Sequence, residues 1–462
     1  MTDTWATSGL DLHLDVTGPR VRAGLEAALR DAVRSGRLRP GARLPSSRAL
    51  AADLGIARNT VADAYGQLVA EGWLVSRRGS GTSVADRAPG AQAAVAPAEA
   101  DPARLRHSLR AGAPDLSAFP RSAWLAAARR AVTAAPFDAL GYGDPRGRPE
   151  LRVALAGYLA RVRGVVADPD RLVVCSGFTQ GLALLSRALR ARGARTVAVE
   201  AYGHRAHRQV VATAGLGVRP LPVDALGAAV EGLGDADTAL LTPAHQFPLG
   251  VLLAPERRTA AVAWAERTGG IVIEDDYDGE FRYDRQPVGA MQALAPEHVV
   301  YAGTASKTLA PGVRLGWLVL PAGLVDDVVA VKASSDRQSS VLDQLTLAAL
   351  IESGAYDRHI RRSRLAYRRR RDRLVAALHR DAPGVRVTGV AAGLHAVVRL
   401  PPGRREDEVV AGAAARGLAV EGLGAFAAAE SREDPALIVG YGAPAEHAFT
   451  AAVARLTAAL AE

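Results

Sequence analysis

From about residue 112 onward, short apolar runs alternate with longer stretches in which Ala, Leu and Arg recur at helical spacing. The runs are "RLVVCS", "TVAVE", "TALLTP", "GIVIED" and "HVVYAG", each bounded by polar or turn-forming residues. Continuous apolar runs between helices predict an α/β domain with a mostly parallel sheet. In such a sheet, ligands sit at the carboxyl ends of the strands. No repeat occurs at a fixed period. No window of about 18 consecutive apolar residues exists, so no transmembrane helix is expected. The opening "MTDTWATSGLDLHLD" has neither a basic n-region nor an apolar core, so a signal peptide is not expected. Cys175 is the single cysteine, which excludes an intramolecular disulfide and fits a cytoplasmic protein.

The pattern before residue 85 is different. "RLPSSRALAADLGIARNTVADAYGQLVAEGWLVSRRGSGTSV" reads as helix, turn, helix and hairpin. Ser46 or Ser47 is a candidate N-cap for a short helix ending at Gly55. Val61, Ala64, Tyr65 and Leu68 share one face of the next helix. Its first turn presents Arg58, Asn59 and Thr60, side chains suited to phosphates and base edges. The hairpin carries Arg77 and Arg78 at its Gly-rich turn. Residues 1–84 therefore read as a winged helix-turn-helix. Charge agrees, because residues 19–84 hold 11 arginines against five acids. Residues 85–104 are rich in Ala, Pro and Gly without periodicity, and a flexible linker is expected over 85–112. The remainder, 113–462, is the expected effector domain.

Composition raises one question. The 462 residues hold 57 Lys plus Arg, and lysine occurs only at 307 and 332. Arginine replaces lysine wherever only charge is needed, but it cannot form a Schiff base with an aldehyde. Lys307 follows the run "HVVYAG" at a strand end, beside Thr304 and Ser306 and seven residues before Arg314. Lys332 reads as a leftover surface lysine. Other strand ends supply what pyridoxal 5'-phosphate requires. "GIVIEDDYDGEF" offers Asp275 as a carboxylate for the ring nitrogen and Tyr277 as a phenol for the ring oxygen. "RLVVCSGFTQGLALL" offers the backbone N–H groups of Gly177, Phe178 and Thr179 at a helix start, where an anion is stabilised. A metal at the acidic segment is the alternative, but no histidine accompanies it in sequence and no metal site is expected.

These motifs resemble two families at once. "GRLRPGARLPSSRALAADLGIARNTV" is similar to the DNA-binding domain of GntR-type bacterial regulators. The resemblance implies DNA contacts from Arg48, Arg58, Thr60 and Gly79, with Ala57 standing where many relatives have Ser or Thr. "SKTLAPGVRLG", "EDDYDGEFRY" and "YGDPRGRPELR" resemble fold type I aminotransferases with a small C-terminal α+β subdomain. Together they resemble the MocR/GabR subfamily of GntR regulators, over essentially the whole chain. That resemblance implies pyridoxal phosphate as an internal aldimine on Lys307, the expected catalytic residue. It implies Arg314 on the phosphate, Asp275 on the pyridinium nitrogen and Tyr277 on the ring oxygen. Tyr142 would reach the phosphate of a neighbouring subunit in a homodimer with shared sites.

Three departures shape the functional reading. His204 stands where the family's ring-stacking tyrosine is usual. Phe247 and Leu249 replace an asparagine and a Thr or Ser. Ile438 stands where amino-acid-binding members carry the substrate-carboxylate arginine, a loss that only Arg205 or His207 could offset. The expectation is a DNA-binding regulator that responds to pyridoxal phosphate itself, as in control of vitamin B6 supply, without multiple-turnover transamination. A working aminotransferase and a sensor of a small amine or amino acid are the rival readings. Finally, "YDRHIRRSRLAYRRRRDRL" over 356–374 reads as a solvated helix face, with a second DNA surface as the sharper alternative.

Overall fold

The computed structural model describes residues 21–77, 81–86, 107–283, 288–428 and 435–461. The chain divides into two compact units, residues 1–103 and 104–462.

In the first unit, α1 (Val21–Arg34), α2 (Ser47–Leu54) and α3 (Arg58–Ala70) precede a hairpin of β1 (Leu74–Arg77) and β2 (Gly81–Val84). The Ser46 hydroxyl accepts from the Ala49 N–H at 3.2 Å, capping α2, and Gly55 ends it at φ 66°. Leu25, Leu29, Leu50, Val61, Ala64 and Leu68 form the core. The start of α3 is Ala57, whose side chain makes no capping hydrogen bond. Arg48, Arg58 and Asn59 are exposed and Thr60 half-buried. The hairpin pairs Leu74 with Val84 and Arg77 with Gly81. Arg78 and Gly79 lie outside the described residues.

The second unit is built on seven strands: β3 (Leu172–Cys175), β4 (Thr196–Glu200), β5 (Gly217–Leu221), β6 (Thr238–Leu241), β7 (Ile271–Asp275), β8 (Val299–Thr304) and β9 (Gly316–Val319). Their order is β3-β9-β8-β7-β6-β4-β5. Only β9 runs antiparallel to its neighbours. The predicted runs thus form one sheet, buried on both faces. Leu182, Leu185, Ile273, Val300 and Leu318 fill one side. Ala239, Leu241, Trp264 and Val272 fill the other. Each fully buried leucine contributes roughly 2 kcal/mol. The strands end together: Cys175, Glu200, Asp275 and Thr304 close β3, β4, β7 and β8, and Gly316 opens the antiparallel β9 on the same edge.

Helix α4 (Phe178–Ala191) follows β3, and α5 (Val325–Ser335) follows β9. A 27-residue helix, α6 (Ala355–Asp381), leads to a four-stranded antiparallel sheet containing Ala396–Arg399 and Ala436–Val439. No described helix is long and apolar enough to cross a membrane.

Three expectations need correction. Residues 107–112, assigned by composition to the linker, are built into the second unit: His107–Ser108 pair with Leu418–Ala419, and Leu109 is 0% exposed. Lys332 is not a surface lysine; it is 0% exposed within α5. The arginine run of α6 is not uniform either. Arg361, Arg362, Arg368 and Arg369 are exposed, but Arg370 is buried. Arg370 donates to Asp115 at 2.6 Å and to the carbonyls of Gly442 and Pro444. Leu365 of the same helix is 58% exposed.

Candidate functional site

A cavity of about 230 Å³ opens at the carboxyl ends of the strands. It is lined by eleven of the residues singled out in the sequence: Phe178, Thr179, His204, His207, Phe247, Asp275, Tyr277, Thr304, Ser306, Lys307 and Arg314. Strand ends explain why residues as far apart in sequence as Phe178 and Arg314 converge, since a parallel sheet presents all its carboxyl termini on one edge.

Lys307 sits just past β8. Its amine donates to the Gly112 carbonyl at 2.5 Å. Burial lowers its pKa, while Asp275 and Asp278 pull the other way. A lowered lysine pKa raises the fraction of neutral, nucleophilic amine. Asp275 ends β7 and is 7% exposed. Its carboxylate has no hydrogen bond or ion pair among the described residues. Burial pushes its pKa well up, against the pull of Lys307. A buried carboxylate without a partner is costly, so the position suits a cationic ring nitrogen arriving from the cavity.

At the start of α4, Gly177 has φ 85° and no side chain caps the helix. A Cβ at Gly177 would lie 3.1 Å from the Arg314 guanidinium. Gly316 closes in behind, where a Cβ would lie 2.9 Å from the Gly177 backbone. This turn is a cradle with no room for side chains, made of free first-turn N–H groups and facing an arginine. Arg314 itself holds φ 54°, and the Ser176 carbonyl accepts from its guanidinium. A left-handed non-glycine residue costs about 1–3 kcal/mol and is held only where surroundings demand it. The donor set therefore fits pyridoxal phosphate at each of its polar points: amine, carboxylate, phenol and anion cradle.

Tyr277 is held through its phenol. The hydroxyl lies 3.0 Å from His245 Nδ1, which is also 2.8 Å from Asp278 Oδ2. His395 joins this group, and one ligand atom from each of His245, Asp278 and His395 lies within 4.8 Å of the others. Histidines do accompany the acidic segment in space, although none does in sequence. The polar atoms already have partners, however: His395 Nε2 bonds the Pro248 carbonyl at 2.9 Å, and His245 Nδ1 is shared between Asp278 and Tyr277. Asp278 and His245 thus form a line of hydrogen bonds behind Tyr277, and the His395 ring packs on His245 at 5.1 Å.

His204 stacks on Phe247 with ring centroids 4.2 Å apart and planes 16° apart. His207, which also lines the cavity, packs edge-on against His204 at 5.1 Å. Burial, with the Lys307 charge nearby, lowers His204 to about 4. His207 falls to about 3 by burial and its proximity to His204. Both rings are therefore neutral at pH 7. Since the unfolded value is about 6.5, the unfolded chain takes up protons first as pH falls. Their contribution to stability is present above pH 6.5 and drains away between there and about pH 3. Melting curves at pH 7 and pH 5 should show a smaller loss in His207→Phe than in the unmodified protein; equal losses would exclude this source.

Sequence reasoning missed several residues. Glu200 lines the cavity with its carboxyl pushed by burial to about 7, though Thr242 donates to it at 2.5 Å. Gly112, His245 and His395 also lay outside any motif, and Gln180 lay within one without being singled out. Tyr142 is not in this chain's cavity. It is 83% exposed, with the Arg337 guanidinium 4.7 Å above its ring. Ile438 is 0% exposed inside the small sheet, and Arg205 is exposed outside the cavity.

Known proteins match both units. The signature of bacterial regulatory proteins of the gntR family covers residues 22–84. That of aminotransferase class I and II covers residues 108–430. The chain is 33% identical over 444 residues to the HTH-type pyridoxine biosynthesis transcriptional regulator PdxR of Corynebacterium glutamicum, spanning 94% of this chain and 95% of that one. It is 34% identical to a probable rhizopine catabolism regulatory protein, MocR, of Rhizobium meliloti, covering 83% and 82%. Among solved structures, an archaeal alanine:glyoxylate aminotransferase superposes with TM-score 0.70 at 25% identity, covering 76% of this chain and 90% of that one. Pyrococcus horikoshii kynurenine aminotransferase gives 0.68 at 28% over the same shares.

Proposed function

Since the chain belongs to the MocR-type branch of the gntR transcriptional regulators, which carry an aminotransferase class I and II domain, we propose that it takes up pyridoxal 5'-phosphate at Lys307. Cofactor occupancy would then set its affinity for operator DNA. The observation that carries this is Lys307 in one cavity with the unpartnered Asp275 carboxylate and the glycine cradle under Arg314. When bound, the cofactor supplies an aldehyde that condenses with amines and a ring that withdraws electrons. Asp275 would hold a proton at the ring nitrogen. Tyr277, fixed by His245, would meet the ring oxygen. His204 would cover the ring, and Gly177, Phe178, Thr179 and Arg314 would hold the phosphate, with Thr304 and Ser306 beside them.

In the DNA-binding unit, Arg48, Arg58, Asn59 and Thr60 would meet the duplex. A homodimer is supported by Tyr142 and its exposed apolar neighbours, Phe137 at 98% and Leu140 at 56% exposure. Such a surface fits a second copy from which Tyr142 reaches the other cofactor site. The missing carboxylate arginine at Ile438 favours the cofactor itself as signal, and with it control of vitamin B6 supply.

The test is DNA binding to the protein's own upstream region at fixed salt, with and without pyridoxal phosphate and without added amine. The expected change is about 5- to 150-fold, the usual range of coupling between sites. An unchanged footprint would move the search for the signal to amines. Multiple-turnover transamination with a common amino donor would favour the enzyme reading instead.

A further inference from the structure

The second lysine of the chain is buried where arginine would not fit. Lys332 Nζ has three acceptors: both carboxylate oxygens of Asp336 at 2.9 Å and Ser339 Oγ at 3.1 Å. An ammonium has three donors, so the match is complete, whereas a guanidinium brings five in a rigid plane. With Lys332 at 0% exposure, surplus donors would be left without partners.

The network continues past Asp336. Asp336 Oδ2 accepts from Gln180 Nε2 at 2.6 Å, and Gln180 Oε1 accepts from the Ser176 N–H at 2.6 Å. Ser176 precedes Gly177, and the Arg314 guanidinium donates to its carbonyl. One unbroken line of hydrogen bonds thus runs from Lys332 to the peptide that forms the anion cradle. Gln180 sits in the first turn of α4 and folds its amide back over the helix start. Lys332 holds the Asp336 carboxylate in place, and that carboxylate orients the amide that ties the Ser176 N–H.

We propose that Lys332 is a positioning residue for the phosphate group, acting through Asp336 and Gln180 on the Ser176–Gly177 turn. It touches no ligand; its effect is to set the direction of the cradle's N–H groups. The inference rests on the reading that this turn receives the cofactor phosphate.

The experiment compares pyridoxal phosphate with pyridoxal, which lacks the phosphate, by equilibrium titration of the full chain. Lys332→Met removes the charge at similar volume. Gln180→Met cuts the line while leaving the Lys332–Asp336 pair intact, and it carries the test if the first variant does not fold. Each variant is expected to weaken pyridoxal phosphate about 10-fold, the low end for residues that orient a binding group. Pyridoxal affinity should stay within about twofold, because the cradle plays no part in holding it. A parallel loss for both ligands would mean that the network only supports the fold. No loss for either ligand in folded variants would also overturn the proposal. If the unmodified protein itself shows no preference for the phosphorylated ligand, the reading of the cradle fails first, and this inference with it.

Discussion

Replacing Lys307 with arginine is expected to abolish covalent capture of pyridoxal phosphate while leaving the protein folded. The positive charge beside Asp275 and Asp278 is retained, so the balance of the buried site changes little. What disappears is the primary amine, since a guanidinium stays protonated and is no nucleophile at neutral pH. The expected loss in affinity is at least about 100-fold, or about 2.7 kcal/mol. A ligand absorbance titration gives the affinity, and the peptide mass after borohydride treatment shows whether residue 307 carries the ligand. In the same variant, operator affinity should no longer respond to pyridoxal phosphate. A ligand-dependent footprint that survives in Lys307→Arg would mean that the signal is non-covalent.

The second large effect concerns stability. Arg370→Ala should cost about 3–5 kcal/mol, because it leaves the buried Asp115 without its counter-charge. The pair is tight at 2.6 Å, with side chains 3% and 5% exposed. Arg368→Ala and Arg369→Ala, both at exposed positions, should each stay within about 0.5 kcal/mol. Denaturant midpoints of the three variants test this. Equal, small shifts would mean that Asp115 is satisfied by the N–H and hydroxyl of Ser117, which it also accepts from. Arg368 and Arg369 remain exposed and free of ion pairs among the described residues, so they stay open to a polyanion.

That contrast shows what a sequence can reveal. Four adjacent arginines look alike in a row, yet helical geometry turns one inward. Tyr367 and Leu374, three before and four after Arg370, are both buried and mark the face it shares. The DNA-binding unit was legible almost throughout because its signals are local: the Ser46 cap, the Gly55 stop and the apolar face of α3. The strand runs were legible for the same reason. Strand order was not, since β9 pairs with β3 across some 140 intervening residues, and pairing over such distances leaves no local trace. Within the site, Lys307 and Asp275 stood out by rarity and by position at strand ends. The His245 and His395 rings behind Tyr277 did not, because each comes from a segment remote in sequence from Asp278. Lys332 was misread because "VVAVKASS" gives no hint that Asp336 turns back to meet it.

The near absence of lysine has a chemical consequence for the whole molecule. An aldehyde free in solution reacts with any accessible amine, so a lysine-coated sensor would collect it at random. Here one lysine faces the cavity and the other is sealed inside an ion pair, leaving no other side-chain amine in the chain. Writing arginine everywhere else keeps the surface cationic for nucleic acid yet unable to form Schiff bases with simple aldehydes. The α-amino terminus apart, covalent labelling of this protein by an aldehyde is a direct count of occupied sites.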